Sequence, residues 1–537
     1  MDDFCGINFC GNTADVLGTA GQEVEESCLK DDEALAKRTN AGDLVSVALH
    51  NDLHLTEQDV EAAQHNPNKR SESQIEQVED DLSQRVKSTA EIVARTSIEG
   101  LKYIVSLALL GFSMVLITAA MFTEQTTATA ENGIHPAVTF CVFSFLIVWL
   151  AMMEGGQGCL VGLQTIDKTL YAESHPRAFR TAKLAHKGDN MERFMVGRQF
   201  LVVLVIFVMN MMSSTVEQAS VFSLPESVVG VFLDSGIAVI LTTVIVGQLT
   251  SQVNAAQCML DFINNSFMTF TVYVSLAIEM SGLLHSVYLI SMLFSMISRK
   301  PISSNESDRT NLQKLFFWIR IVFSVVILVA AFVFTLGALF SGKTMAWGGM
   351  PSAVSVAIFF LLMCFAGLLD GLQIALFAVV NLTESERTAH PLAHRSCQLV
   401  FREPHTLGAF LIGRQICVTV CMFVVARLSA IQVDDTETLF GVSDGVQQFL
   451  NTGLLGAVLT TIVASLIWRV IASAFPVAFL SNPLVFVIIR LCLLLEQSGI
   501  CSASWTLASL QKKLFGFRPD DEYLGDLRRK ESTCSNS

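Results

Sequence analysis

Charge is scarce in this chain, and so are the patterns that charge usually builds. Asp, Glu, Lys and Arg make up 16% of 537 residues, against 52% hydrophobic ones, and mean hydropathy is +0.51. No basic stripe with interleaved aromatics occurs, so nucleic acid is not an expected partner. The 13 cysteines include no C-x-x-C pair and no Cys/His spacing suited to zinc or redox chemistry. Most of them, such as Cys141, Cys364 and Cys492, read as small apolar residues packed within helices. No H-E-x-x-H, nucleophile elbow or Gly-rich phosphate loop sits in a credible context, and an enzyme is not expected. No filter-like segment repeats, which weighs against a channel. Met1-Asp2-Asp3 is acidic and no apolar h-region follows it, so the first transmembrane helix is expected to serve as an internal signal-anchor.

What the chain has in abundance is long apolar runs. Spans of about 20 residues match a hydrocarbon core roughly 30 Å thick, and they recur in two blocks. The first block has them at about 101–122, 136–166, 195–214, 228–252 and 266–297. The second has them at about 315–340, 352–381, 409–430, 447–472 and 483–510. The expected fold is therefore an all-α polytopic membrane protein of about ten transmembrane helices. Around these blocks, residues 1–70 read as an acidic, mostly disordered cytoplasmic tail, which supplies part of the net charge of −14. Residues 71–100 read as an amphipathic lead-in helix, with Ile75, Val78, Leu82, Val86, Ile92 and Val93 near one face. Residues 101–297 form the first repeat, 298–314 a linker, 315–510 the second repeat and 511–537 a charged tail.

Within these runs stands a polar constellation that occurs twice. Glu154-Gly155-Gly156-Gln157 is followed by Gly197-Arg198-Gln199, and Asp370-Gly371-Leu372-Gln373 is followed at the same separation by Gly413-Arg414-Gln415. Further matches keep the same order: His175-Pro176 with His390-Pro391, and Phe232-Leu233-Asp234-Ser235-Gly236 with Phe449-Leu450-Asn451-Thr452-Gly453. Leu241-Thr242-Thr243 matches Leu459-Thr460-Thr461, and Glu279-Met280-Ser281-Gly282 matches Glu496-Gln497-Ser498-Gly499. An internal duplication is the economical explanation, and such repeats characterise transporters. The last span is too short for two crossings, giving five helices per block. An odd number inverts the second block relative to the first, the arrangement suited to alternating access.

The distribution of Lys and Arg agrees with this topology only in part. Arg85, Lys87 and Arg95, then Lys168, Arg177, Arg180, Lys183, Lys187 and Arg193, place the N-terminus in the cytoplasm. Arg299, Lys300, Arg309 and Lys314, then Arg387, Arg395 and Arg402, would lie outside. A parallel six-plus-six arrangement would remove that conflict. Sequons at Asn305 and Asn381 favour ten helices.

Chemistry assigns roles within the constellation. Polar side chains at this depth are expensive and are kept for function. Carboxylates Glu154 and Asp370 are hard oxygen donors suited to a coupling cation. Gln157, Gln199, Gln373 and Gln415 offer both donors and acceptors to a neutral polyhydroxylated solute, while Arg198 and Arg414 can neutralise a carboxylate or donate to a ligand oxygen. Gly155, Gly156, Gly197, Gly371 and Gly413 are expected to break or loosen their helices, each glycine costing on the order of 1 kcal/mol relative to alanine. Glu279 and Glu496 are candidates for gating or ion coupling. Competing structural readings are close packing at Gly158 and Gly162, snorkelling of Arg198 and Arg414 from helix starts, turn roles for His175 and His390, and hydroxyls at Thr242-Thr243 and Thr460-Thr461 bonded to their own helix.

Paired EGxQ and GRQ motifs, one of each per half, resemble the silicon transporters of diatoms and related algae over roughly residues 95–515. Cys258-Met259-Leu260-Asp261 is also similar to a tetrapeptide of that family. Asp370 departs from the pattern, which has glutamate there. The resemblance implies sodium-coupled symport of silicic acid for biosilicification, across a plasma membrane or an intracellular (silica-deposition or vacuolar) membrane. The implied partners are silicic acid, sodium as co-substrate and the lipid bilayer, with no further cofactor and a homo-oligomer left open. Alternatives are a carrier of another small neutral solute such as boric acid, a proton-coupled carrier of the same architecture, or a channel or receptor-like membrane protein.

Overall fold

A computed structural model describes residues 72–216, 219–298, 310–347, 349–380, 390–401, 404–432, 439–520 and 523. The expected N-terminal tail, most of the 298–314 linker and both sequons lie outside these residues. Among those described, the chain is helical, and its extended pairings are two isolated bridges, Thr126–Thr215 and Thr344–Ile431. Eight helices among the described residues are long and apolar enough to cross a membrane, as expected for an all-α polytopic membrane protein.

The principal helices of the first half are α1 (Glu72–Phe122), α2 (Pro136–Gly162), α3 (Pro176–Ala185), α4 (Asn190–Ser213), α5 (Ile237–Gln257), α6 (Met259–Ile263), α7 (Ser266–Met280) and α8 (Ser286–Ser298). Those of the second are α9 (Asn311–Ser341), α10 (Ser352–Val380), α11 (Pro391–Phe401), α12 (Pro404–Ser429), α13 (Asp444–Asn451), α14 (Leu454–Ala474), α15 (Pro476–Leu480), α16 (Pro483–Gln497) and α17 (Ala503–Phe515). The lead-in and the first span are one continuous helix, α1. Each run expected as a fifth span is instead two helices, α7 with α8 and α16 with α17, separated at 281–285 and 498–502.

Local chemistry sets these boundaries, and it does so at equivalent places in both halves. Gly236 and Gly453, both with positive φ (80° and 72°), precede α5 and α14. Cys258 and Phe475 end those helices in almost the same conformation, with φ/ψ of −136°/53° and −134°/59°. Asn265 caps α7 by accepting from the Met268 amide at 2.7 Å, and Asn482 caps α16 by accepting from the Leu484 amide at 3.0 Å. Gly282 and Gly499 take up the left-handed turn in the breaks after Glu279 and Glu496. All these pairs keep one and the same spacing along the chain, which defines a structural register between the two halves.

Burial sorts the helices into a centre and a periphery. The most apolar stretches of α4, α5, α12 and α14 are 83%, 78%, 67% and 72% buried, against 39%, 28%, 28% and 33% for α1, α2, α9 and α10. Val322, Val326, Val329 and Val333 form an exposed stripe along α9, the surface a helix presents to lipid. The inner helices α4 and α12 pack on each other, and they carry the GRQ motifs.

The loops and the C-terminal segment fasten the bundle. The carbonyl of Asp234 accepts from Arg427 Nη1 at 2.5 Å and from Trp347 Nε1 at 3.0 Å, tying first half to second. Near α6, the carboxylate of Asp520 accepts from the Met259 and Leu260 amides at 2.7 and 2.9 Å. Asp261 accepts from the Arg518 amide at 2.7 Å, and Phe517 packs against Phe262 with ring centroids 6.2 Å apart. Part of the stretch expected as a charged tail, 511–537, is thus seated on the helical body.

Candidate functional site

Glu154 lies on α2 and Arg198 on α4, and the packing of these helices brings them together in the interior. Arg198 Nη1 donates to Glu154 Oε1 at 3.1 Å, and Nη2 donates to Gln199 Oε1 at 3.0 Å. The second half repeats this on α10 and α12. Arg414 Nη1 donates to Asp370 Oδ1 at 3.2 Å, and Nη2 to Gln415 Oε1 at 2.9 Å. The aspartate's shorter reach does not alter the pairing. Each motif pair is one half-site: a carboxylate, a guanidinium that neutralises it, and a carboxamide that holds the guanidinium in orientation.

The helix of the fourth apolar run in each half completes these half-sites. On α5, Gln252 Nε2 donates to Glu154 Oε2 at 3.0 Å. On α14, the Ser465 hydroxyl donates to Asp370 Oδ2, and Arg469 Nη2 stands 3.5 Å from the same oxygen. Two contacts join the half-sites. Arg469 Nη2 donates to Gln199 Oε1 at 2.9 Å, and the Thr419 hydroxyl donates to Gln248 Oε1 at 2.6 Å. Sequence reasoning did not single out Gln248, Gln252, Thr419, Ser465 or Arg469. Arg469 alone had a legible signal, as the single charged residue in the apolar run 454–474.

Two expectations need correction. Arg198 and Arg414 do not snorkel from helix starts. Their helices begin at Asn190 and Pro404, and the two residues are 2% and 7% exposed. Nor do Gly155, Gly156, Gly197, Gly371 and Gly413 break their helices, since α2, α4, α10 and α12 run through them uninterrupted. They are points of close approach. A Cβ at Gly197 would run into the Ser275 carbonyl, and one at Gly413 into the Cys492 carbonyl. At Gly155 and Gly371 it would meet the rings of Phe262 and Phe479, and at Gly156 the side chain of Met268. The tertiary fit outweighs the modest propensity loss of each glycine. Irregular backbone falls elsewhere, in π-turns at Thr243–Leu249 of α5 and Ile462–Leu466 of α14.

The other candidates divide by environment. Gln157 and Gln373 are half-buried and form no hydrogen bond with the described residues. The Nε–H groups of Arg198, Arg414 and Arg469 are likewise buried without a partner there. Glu279 accepts from Tyr288 Oη at 3.0 Å and has His285 Nε2 at 3.7 Å, beside the break in the fifth span. These contacts lie in and next to α8 rather than on the helices that carry the Arg198–Arg414 cluster. Glu496 occupies the matching place and is half-buried. His175, expected as a turn residue, precedes α3 but is buried, with Nε2 3.1 Å from Asp261 Oδ1. His390 precedes α11 and is exposed. The structural register pairs Thr243 with Thr460, whose hydroxyls are buried and unpartnered. Thr242 and Thr461 instead donate to carbonyls one turn back, those of Ala238 and Ala457.

Comparison with known proteins decides the family, because a family model described as silicon transporter matches residues 94–536. The chain belongs to the silicon transporter family. Searches of curated proteins and of solved structures returned no match. The matched region holds both EGxQ-type and both GRQ motifs, so the buried double half-site is a feature of the silicon transporter region itself, carried by an integral membrane protein.

Proposed function

We propose that this silicon transporter carries silicic acid by sodium-coupled symport through alternating access, with the solute held between two inverted five-helix repeats. One observation carries the reading: two half-sites of matching geometry, each ion-paired internally, are bridged at the centre of the bundle. With its carboxylates neutralised by guanidinium, the site offers N–H donors and carboxamide oxygens. Those suit a small tetrahedral solute whose hydroxyls donate and accept but carry no charge. Gln157 and Gln373, without a hydrogen-bond partner among the described residues, are the first contacts proposed for the solute, with Gln199, Gln415, Arg198 and Arg414 proposed to bind it alongside them. Glu154 and Asp370 are proposed to take the sodium ion as their guanidinium partners disengage. Glu279 and Glu496, beside the breaks in the fifth spans, are proposed to gate.

Silicon uptake into proteoliposomes, measured against sodium, tests the assignment. Gln157→Ala and Gln373→Ala should each raise the KM for silicic acid with little effect on thermal stability, and Glu154→Gln should weaken sodium dependence. Unchanged sodium dependence in Glu154→Gln would refute the coupling role. Boric acid competition and a proton gradient imposed without sodium separate the alternative substrate and coupling ion.

A further inference from the structure

The two half-sites differ in one charge. Gln252 and Arg469 are equivalent positions in the register that relates the ends of their helices, and each reaches the second oxygen of its half's carboxylate. Gln252 stays within the first half, at 3.0 Å from Glu154 Oε2. Arg469, 6% exposed, stands 3.5 Å from Asp370 Oδ2 and also donates to Gln199 Oε1 across the bundle at 2.9 Å. Glu154 therefore faces one guanidinium and Asp370 faces two. Arginine keeps its proton in proteins, so the cluster Glu154, Arg198, Asp370, Arg414 and Arg469 carries one excess positive charge.

We infer that Arg469 is a positioning residue that governs cation access to Asp370 through the guanidinium charge it holds beside Oδ2 while bridging to Gln199 in the other half. This rests on the sodium-coupled reading above. While the bridge is made, both Asp370 oxygens are engaged by Arg414, Ser465 and Arg469. A sodium ion there would also meet two guanidinium charges in a medium that screens poorly. Gln199 Oε1 is occupied as well, accepting from Arg198 at 3.0 Å and Arg469 at 2.9 Å. Gln415 Oε1 accepts only from Arg414 among the described residues. Separation of the halves breaks the Arg469–Gln199 contact. That frees an acceptor on Gln199 for the solute, while Arg469, in the same half as Asp370, keeps its charge beside the carboxylate that a cation must reach.

The test uses the purified full-length chain without silicon. Its thermal midpoint is titrated with sodium chloride against choline chloride at constant ionic strength. In R469Q, which places in the second half the residue type the first half already has, the sodium concentration for half-maximal stabilisation should fall about tenfold or more. R469K, which keeps the charge, should stay within about twofold of the parent, and D370N added to R469Q should abolish the gain. Should R469Q not fold, R469H replaces it, and its sodium response should strengthen as rising pH removes the imidazolium charge. An unchanged half-saturation in R469Q, an equal shift in R469K, or a pH-independent response in R469H overturns the inference. Failure of sodium-dependent uptake by the unaltered protein would overturn the transport reading alone, because this titration involves no transport.

Discussion

A single methyl group at Gly197 should separate packing from chemistry in this transporter. In Gly197→Ala the new Cβ would lie 2.7 Å from the Ser275 carbonyl carbon and 3.1 Å from its Cα, with the carbonyl oxygen nearer still. Carbon atoms rest at roughly 3.5–4.0 Å, so α4 and α7 must part by about 1 Å. The neighbour is helix backbone and cannot rotate aside, which puts the cost at the upper end of the usual overpacking range, about 3 kcal/mol. Arg198 is the next residue, and its 3.1 Å bond to Glu154 would stretch beyond hydrogen-bond range with such a displacement. Gly413→Ala should behave alike, since a Cβ there lies 2.5 Å from the Cys492 carbonyl carbon and 2.9 Å from its Cα. Gly158→Ala is the control: its nearest neighbour is the Ala255 Cβ at 3.9 Å, and helix propensity favours alanine by about 1 kcal/mol. Thermal midpoints in detergent and silicon uptake in proteoliposomes supply the readouts. Gly197→Ala and Gly413→Ala should lower both, and Gly158→Ala neither. Parent-like uptake and stability in Gly197→Ala would refute the close-approach account of the GRQ glycine.

Two further predictions concern charge and the C-terminal clasp. Arg198→Leu leaves Glu154 buried without its guanidinium and should cost about 3–5 kcal/mol. The double variant Glu154→Leu/Arg198→Leu should regain most of the thermal midpoint but not uptake, and a double variant as unstable as the single would contradict the pairing. Asp520→Ala removes a carboxylate that accepts from two amides of α6, bonds worth about 1.5–3 kcal/mol each. Trypsin should then cut sooner at Lys512 and Lys513, and an unaltered digestion rate would show that the clasp does not hold the segment.

Read in order, the residues disclosed a great deal about this fold. Apolar runs require membrane helices because the bilayer core offers the backbone no water to bond. The repeated Glu154/Arg198 and Asp370/Arg414 spacings marked both ion pairs' members, since buried charge is retained only where it has a partner or a task.

Tertiary structure decided the rest, because the deciding contacts join residues far apart in the chain. Glycine counts pointed to broken helices, yet carbonyls from other helices, at Ser275 and Cys492, turn Gly197 and Gly413 into contact points. The matched Leu-Thr-Thr triplets are out of step with the structural register by a single position, so sequence paired the wrong threonines. Arg469 was legible as a lone charge, but its meaning depends on Gln199, 270 residues away. A pattern read along the chain can show which side chains must leave water. Only the packing of α2 and α10 against α4, α12 and α14 determines which of them meet, and that assembles two neutralised carboxylates and a third guanidinium into one site.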